Sequence, residues 1–207
     1  MSADRAGSAP LPAEILGPRL CLRPYLAADA PAVWEAIAES RAHLAPWMPW
    51  VELYHSEHDV LDYLLRARAV WEQQVDLPLG VFRREGGRFL GGTGLHRVDW
   101  EQRRFEIGYW LRTGEVGRGY ARETVIVLAR LAFLDLAAIR VEIRVRPENA
   151  PSCRVAESLG FALSGSVPPR ESDFGERGEL LVYALDPAAF RALPWSGASR
   201  GAGPAGG

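Results

Sequence analysis

E-I-G-Y-W-L-R-T-G-E-V-G-R-G-Y-A-R-E-T, residues 106–124, decides the fold. Its first six residues end a β-rich run that begins at Arg104, so Arg104–Leu111 is predicted as a strand. Gly114, Gly117 and Gly119 then punctuate a loop. From Ala121 to Leu136 apolar residues recur at helical spacing, which predicts an amphipathic helix. A strand feeding a helix through a glycine loop has a chemical consequence. The first turn of the helix leaves backbone N–H groups unpaired, and the helix dipole favours an anion there. Glycine lets the backbone approach a phosphate closely. Residues Val116, Gly117, Arg118, Gly119, Tyr120, Ala121 and Arg122 are therefore a candidate pyrophosphate cradle. Two other cradles are excluded. The pattern G-x-x-x-x-G-K-[ST] needs a lysine, and all 24 basic side chains here are arginine. The pattern G-x-G-x-x-G fails because Arg122 stands where its third glycine should be.

Working outward, Arg19–Arg23 alternates as a first strand. Asp29 is a predicted cap for a helix carrying Val33 and Ile37. Residues 43–50, H-L-A-P-W-M-P-W, form a loop broken by two prolines. Ser56-Glu57-His58-Asp59 reads as a capping box that opens a helix with Val60, Leu64, Ala67 and Trp71 on one side. Strands at Leu79–Arg84 and Phe89–Val98 flank a turn at Gly86-Gly87. Past the central helix, Ile139, Val141, Ile143 and Val145 alternate with Arg140, Glu142, Arg144 and Arg146. Pro151 starts a short helix that ends at Gly160. Strands at Ala162–Ser166 and Glu179–Leu185 close the unit. The order β-α-α-β-β-β-α-β-α-β-β predicts an α/β (α+β layered) fold: a mixed seven-stranded sheet with helices on both faces. Residues 1–17 read as a flexible arm, 18–195 as a single domain, and 196–207 as a disordered tail.

Composition narrows the function. A net charge of −2 gives no basic excess for tracking nucleic acid. No window reaches 18 uninterrupted apolar residues, so no membrane span is expected. Cys21 and Cys153 lack any disulfide framework, and no signal-peptide pattern opens the chain, so a cytoplasmic setting is expected. His55 and His58 have no third ligand in view, so no metal site is read there.

Three motifs in order resemble the GNAT superfamily of N-acetyltransferases, and within it the RimJ/RimL-like proteins. The family's phosphate loop, Q/R-x-x-G-x-G/A, is similar to Val116–Ala121, with Val116 in place of Gln or Arg. N-A-P-S-C-R-V-A-E-S-L-G-F, Asn149–Phe161, resembles its N-x-x-S-x-x-V-x-E-x-x-G-F signature. H-L-A-P-W-M-P-W resembles its aromatic acceptor-side loop. The resemblance covers about Arg19 to Asp186. It implies transfer of an acyl group, acetyl by default, from acetyl-CoA or another acyl-CoA to a primary amine. The implied acceptor is an α-amino group of a protein or peptide, with a small amine second. It also implies a homodimer, and a splay between the central parallel strands, Phe105–Leu111 and Ile139–Arg146.

Such chemistry needs a base for the amine, donors for the thioester oxygen and a proton donor for the thiolate. Glu106, a lone carboxylate in an apolar strand, is the first candidate base; a structural ion pair with Arg104, Arg140 or Arg144 is the competing reading. Glu179 is the second candidate, and His96 a third that doubles as an acceptor-side residue. By resemblance, Asn149 holds the pantetheine amides and Ser152 donates to the thiolate; helix capping is the alternative for both. Tyr109, Trp110 and Leu111 belong to the implied donor-binding strand. Trp47 and Trp50 are candidates for the acceptor pocket, against ordinary core packing. A non-catalytic CoA-binding module is the alternative to an enzyme.

Overall fold

The computed structural model describes residues 11–169 and 178–197. Eight strands form one sheet: β1 (Ile15–Leu16), β2 (Leu20–Arg23), β3 (Leu77–Arg83), β4 (Phe89–Asp99), β5 (Arg104–Leu111), β6 (Arg140–Val145), β7 (Ala162–Val167) and β8 (Leu180–Leu185). Five α-helices accompany them: α1 (Ala30–Leu44), α2 (Glu57–Glu72), α3 (Tyr120–Arg130), α4 (Ala150–Ser158) and α5 (Pro187–Ala192). The strand order is β1-β2-β3-β4-β5-β6-β8-β7. The pair β5–β6 is parallel, and the other neighbouring pairs are antiparallel.

The eighth strand corrects the expected seven. Ile15 and Leu16 pair with Leu22 and Cys21, so the part of the arm nearest the domain already belongs to the sheet. The rest of the arm, residues 1–10, and residues 198–207 of the expected tail lie outside the described residues.

The two-residue period of the strands sorts side chains between two apolar layers. Phe105, Ile107, Val141, Ile143 and Val145 face α3 and α4 in one core, with Leu128, Ala156 and Phe161. Tyr25, Phe82 and Phe89 face α1 and α2 in the other, against Val33, Ile37, Val60 and Leu64. Helices thus cover both faces of the sheet.

Local signals explain the helix ends. Ser56 Oγ accepts from Asp59 N at 3.3 Å, and the Asp59 carboxylate accepts from Ser56 N and His55 N at 2.9 Å, the capping box read from sequence. Asp29 behaves differently. It precedes α1 but makes no side-chain cap bond to it. Its carboxylate instead caps the 3-10 turn Ala27–Asp29, Oδ2 accepting from Leu26 N at 2.8 Å, while the Arg23 guanidinium donates to both oxygens at 2.8 and 2.7 Å. The central helix starts at Tyr120, and after Arg130 it widens into a π-turn, Leu131–Asp135.

Candidate active site

The centre of the sheet comes apart. The pairs Arg104↔Arg140, Phe105↔Val141 and Glu106↔Glu142 join β5 to β6, and there the pairing stops. Beyond that point β5 stays on β4 as far as Leu111, while β6 stays on β8 as far as Val145. The two strands therefore present facing edges across a gap that begins at Ile107 and Gly108. The N–H of Arg112 donates to Leu90 O, at 2.8 Å, on the β4 side. Strand alternation then turns Gly108 and Trp110 backbone groups toward β4, and those of Tyr109 and Leu111 into the gap. Gly108 O accepts from Thr93 Oγ1 at 2.7 Å, as this alternation requires. The splay implied by the resemblance is a feature of this chain.

A cavity of about 700 Å³ occupies the gap. At one end lie Val116, Gly117, Gly119, Tyr120, Ala121 and Arg122. Gly119 is the residue before α3, with a φ of 80°, and no side-chain cap occupies the first-turn N–H groups of that helix. Only glycine holds this left-handed turn without strain. Glu123, one turn into α3, would repel an anion. Arg19 cancels its charge, donating from N to Oε1 and from Nε to Oε2, both at 2.7 Å. Arg118 is turned away from the cavity wall: its guanidinium lies 3.7 Å from Glu115, and its carbonyl accepts from Arg19. On the opposite wall, Arg146 lines the cavity with a buried Nε that has no hydrogen-bond partner. A glycine-lined helix start and a guanidinium whose buried Nε has no partner suit an anionic ligand such as the pyrophosphate of an acyl-CoA.

α4 brings the next group. Asn149 Oδ1 accepts from Ser152 N at 3.2 Å, so Asn149 caps this helix while lining the cavity. The cap aims Ser152 back at the gap, where Ser152 Oγ and Tyr109 Oη share a hydrogen bond of 2.7 Å. Burial pushes the Tyr109 phenol up to about 12, against a smaller opposing effect of the Ser152 bond, so it stays protonated at neutral pH. Sequence reasoning placed Tyr109 in the donor-binding strand and gave its hydroxyl no role in proton donation. Tyr120 lies at the phosphate loop under Arg19, and Tyr183 donates to Glu157 Oε1 at 2.7 Å.

The other mouth opens toward α1, where His43, Trp47 and Met48 line the cavity. Trp50 sits beneath, edge-on to Trp110 at 5.7 Å and to Tyr54 at 5.8 Å, as a packing residue behind the wall. Trp110 and Leu111 do reach the wall.

The candidate bases separate. Glu106 Oε2 lies 2.8 Å from Arg97 Nε and 3.1 Å from Arg144 Nε, so the ion-pair reading holds for Arg144 and gains Arg97. Arg104 and Arg140 are not the partners these bridges name; Arg140 pairs with Glu142 at 2.6 Å. Glu179 is exposed and accepts from Ser166 Oγ of β7, on the far side of β8 from the gap. His96, the third candidate, has a carboxylate partner. Its Nδ1 lies 2.9 and 3.1 Å from the two oxygens of Asp76, which from sequence reads only as one of several carboxylates on a solvated face.

Among the described residues, no group of three or more His, Cys, Asp and Glu side chains could hold a metal ion, and no helix is long and apolar enough to cross a membrane.

Comparison with known proteins bears on this site. The model of the acetyltransferase (GNAT) domain matches residues 19–162. The N-acetyltransferase p20 of Bacillus licheniformis, itself uncharacterized, is 33% identical over 102 residues, which span 49% of this chain and 57% of that protein. The structure of Mycobacterium smegmatis RimJ in complex with CoA-disulfide is similar with a TM-score of 0.73 and 25% identity, covering 82% of each chain. RimL, a ribosomal alpha-N-protein acetyltransferase solved with coenzyme A, shares the fold with a TM-score of 0.75 at 20% identity, covering 84% of this chain and 97% of that one. A splayed parallel pair, a glycine-capped helix at one end of the gap and a domain match over most of the folded unit agree: the chain belongs to the GNAT acetyltransferase family.

Proposed function

We propose that this protein transfers an acyl group, acetyl by default, from acyl-CoA to a primary amine, and that the acceptor is an α-amino group of a protein or peptide. The observation that carries the reading is the gap between β5 and β6, closed at one end by the glycine loop and open at the other beside Trp47 and Met48. The fold shared with RimL, a ribosomal alpha-N-protein acetyltransferase, is compatible with an α-amine acceptor. Chemistry agrees, since an α-amine with a pKa near about 8 is neutral far more often at pH 7 than a lysine amine near about 10.4.

In this mechanism the first-turn N–H groups of Tyr120, Ala121 and Arg122 take the pyrophosphate. The gap-facing backbone of Tyr109 and Leu111 takes the pantetheine arm, and a gap-facing N–H of β5 donates to the thioester oxygen as charge develops on it. The amine nitrogen enters from the α1 side and bonds to the thioester carbon. The C–S bond then breaks, and the Tyr109–Ser152 pair donates a hydrogen bond to the departing sulfur.

The test is a transfer assay. Acetyl-CoA is mixed with the protein and a synthetic peptide beginning with Ser and bearing a free α-amine, and the peptide mass and released thiol are followed. One acetyl per peptide, on the α-amine, with matching thiol release is expected. No transfer to this peptide or to spermidine, by a folded protein, would refute the catalytic reading.

A further inference from the structure

We propose that His96 is the general base of this reaction, accepting the amine proton on Nε2, and that Asp76 is its positioning residue. The inference rests on the acyltransferase reading above and deepens it.

The two residues are 20 apart in sequence, yet the fold makes them neighbours. In the β3–β4 ladder Leu77 pairs with Leu95, so the next position outward sets Asp76 opposite His96. Both Asp76 oxygens lie within 3.1 Å of Nδ1. A carboxylate there holds the proton on Nδ1, which leaves the lone pair of the neutral ring on Nε2. The dyad thus resembles the orienting half of a catalytic triad, with an amine as the group to be deprotonated.

The ring is aimed by a glycine floor. Gly94 and Gly108 are cross-strand partners on β4 and β5. A Cβ on Gly94 would fall 2.8 Å from His96 Nε2, and one on Gly108 would fall 2.9 Å from Cδ2 and 3.3 Å from Nε2. The imidazole therefore lies across these two residues, its Cε1–Nε2 edge nearest Gly94 and its Cδ2 corner nearest Gly108, with Nε2 between them. Gly108 lines the cavity and is where the gap opens. By alternation with Ile107 and Phe105, this is the sheet face toward α1 and α2, the side from which the amine enters past Trp47. The His96 side chain is 34% exposed, so water can carry the proton away, and it stands one residue back from the cavity wall, behind Gly108.

Glu106 is the rival, and its surroundings suit another task. It is the cross-strand partner of His96, and its carboxylate is engaged by Arg97 and Arg144. An oxygen held by two guanidiniums is a weak proton acceptor, but its negative charge favours a neighbouring imidazolium.

The charged surroundings of His96 are Asp76 from the segment between α2 and β3, Glu106 from β5 and Arg97 beside it on β4. Behind Glu106 stand Arg144 and Glu142 of β6, and Tyr63 of α2 lies toward Asp76. Burial lowers the pKa of the imidazole, but the Asp76 hydrogen bond and the Asp76 and Glu106 charges outweigh it and raise the pKa above 6.5, with Arg97 opposing. The reaction step balances. The amine nitrogen bonds to carbon and loses its proton to Nε2, sulfur leaves with the C–S electron pair while accepting a hydrogen bond from the Tyr109–Ser152 pair and takes its proton from water, and His96 passes its proton to water.

The experiment uses acetyl-CoA and the Ser-initiated peptide with wild type, His96→Gln, Asp76→Asn, Asp76→Glu and Glu106→Gln, each checked for fold and for acetyl-CoA affinity. His96→Gln should lose roughly 100- to 10,000-fold in kcat while acetyl-CoA affinity is kept. The acid limb of the wild-type kcat profile, read at saturating peptide so that titration of the free α-amine near about 8 does not enter, should disappear with it. Asp76→Asn should move that limb to lower pH and lower its plateau, and Asp76→Glu should restore both in part; a purely structural Asp76 would leave the limb in place. Glu106→Gln should keep the limb, displaced slightly to lower pH. A limb that survives in His96→Gln, or vanishes in Glu106→Gln, overturns the assignment. Nitrogen-15 NMR of wild type provides an activity-free readout: neutral His96 protonated on Nδ1 is expected, and protonation on Nε2 overturns the proposal. If wild type binds no acyl-CoA at all, the acyltransferase reading fails, while the NMR result still decides whether the dyad exists.

Discussion

Replacing Tyr109 with Phe removes one hydroxyl from the gap and keeps the ring that packs against the core. In the resting protein the lost interaction is a single neutral hydrogen bond, 2.7 Å long, to Ser152 Oγ. Such a bond contributes only about 0.5–1.5 kcal/mol to stability, so the variant should fold and should bind acetyl-CoA as wild type does. In the transition state the same hydroxyl faces a sulfur that is gaining charge, and a bond to a charged partner is worth about 1.5–3 kcal/mol. At about 1.36 kcal/mol per tenfold, kcat should fall by roughly 10- to 150-fold. Ser152→Ala should fall in the same range. Because the two hydroxyls share one bond and one task, Tyr109→Phe/Ser152→Ala should lose less than the sum of the single losses. The assay is thiol release at saturating acetyl-CoA and peptide, with calorimetry for donor affinity. Full kcat in both single variants, or strictly additive losses, would refute the assignment of this pair to the leaving group.

Three further outcomes follow from the geometry. Gly119→Ala places a side chain at a φ of 80°, where the backbone cost is about 1–2 kcal/mol; thermal unfolding should come a few degrees earlier and acetyl-CoA binding should weaken by up to about tenfold. Gly108→Ala sets a Cβ 2.9 Å from His96 Cδ2, and since Asp76 anchors the ring, the variant should lose kcat while acetyl-CoA affinity in calorimetry is kept. Arg112, 3% exposed, joins the Glu35 and Glu39 carboxylates of α1 at 2.7 and 2.6 Å. Arg112→Ala should cost about 2–3 kcal/mol in denaturant unfolding. That is less than a fully buried pair, because Glu35 and Glu39 remain partly in water.

The parts of the fold that are local in sequence were legible in it. The capping box at Ser56, the turn at Gly86-Gly87 and the alternation of Val141, Ile143 and Val145 each depend on neighbours a few residues away, and the structure keeps them. Two short elements escaped notice. β1 has two residues, too few to show a period, and α5 has six, although Asp186 followed by Pro187 is a helix-start signal that could have found it. Asp29 misled because a cap residue was judged without the preceding turn, whose Leu26 N–H it accepts, and without the Arg23 fork. At the site, the glycine loop could be read from its spacing, whereas Ser152 entered only through the resemblance of Asn149–Phe161. The partners that give side chains their roles could not. Asp76 meets His96 only through the β3–β4 register, and Tyr109 meets Ser152 only because α4 folds back over the gap. Glu106 looked isolated in an apolar strand, and its second cation, Arg97, enters from a position of φ 49° that no strand period predicts.

The central claim is that the β5–β6 gap is an acyl-CoA site. The direct measurement is calorimetric titration of the folded protein with acetyl-CoA, succinyl-CoA and free CoA. Saturable one-to-one binding at micromolar or tighter affinity is predicted, weakened in Gly119→Ala. A folded protein that binds none of the three would contradict the account.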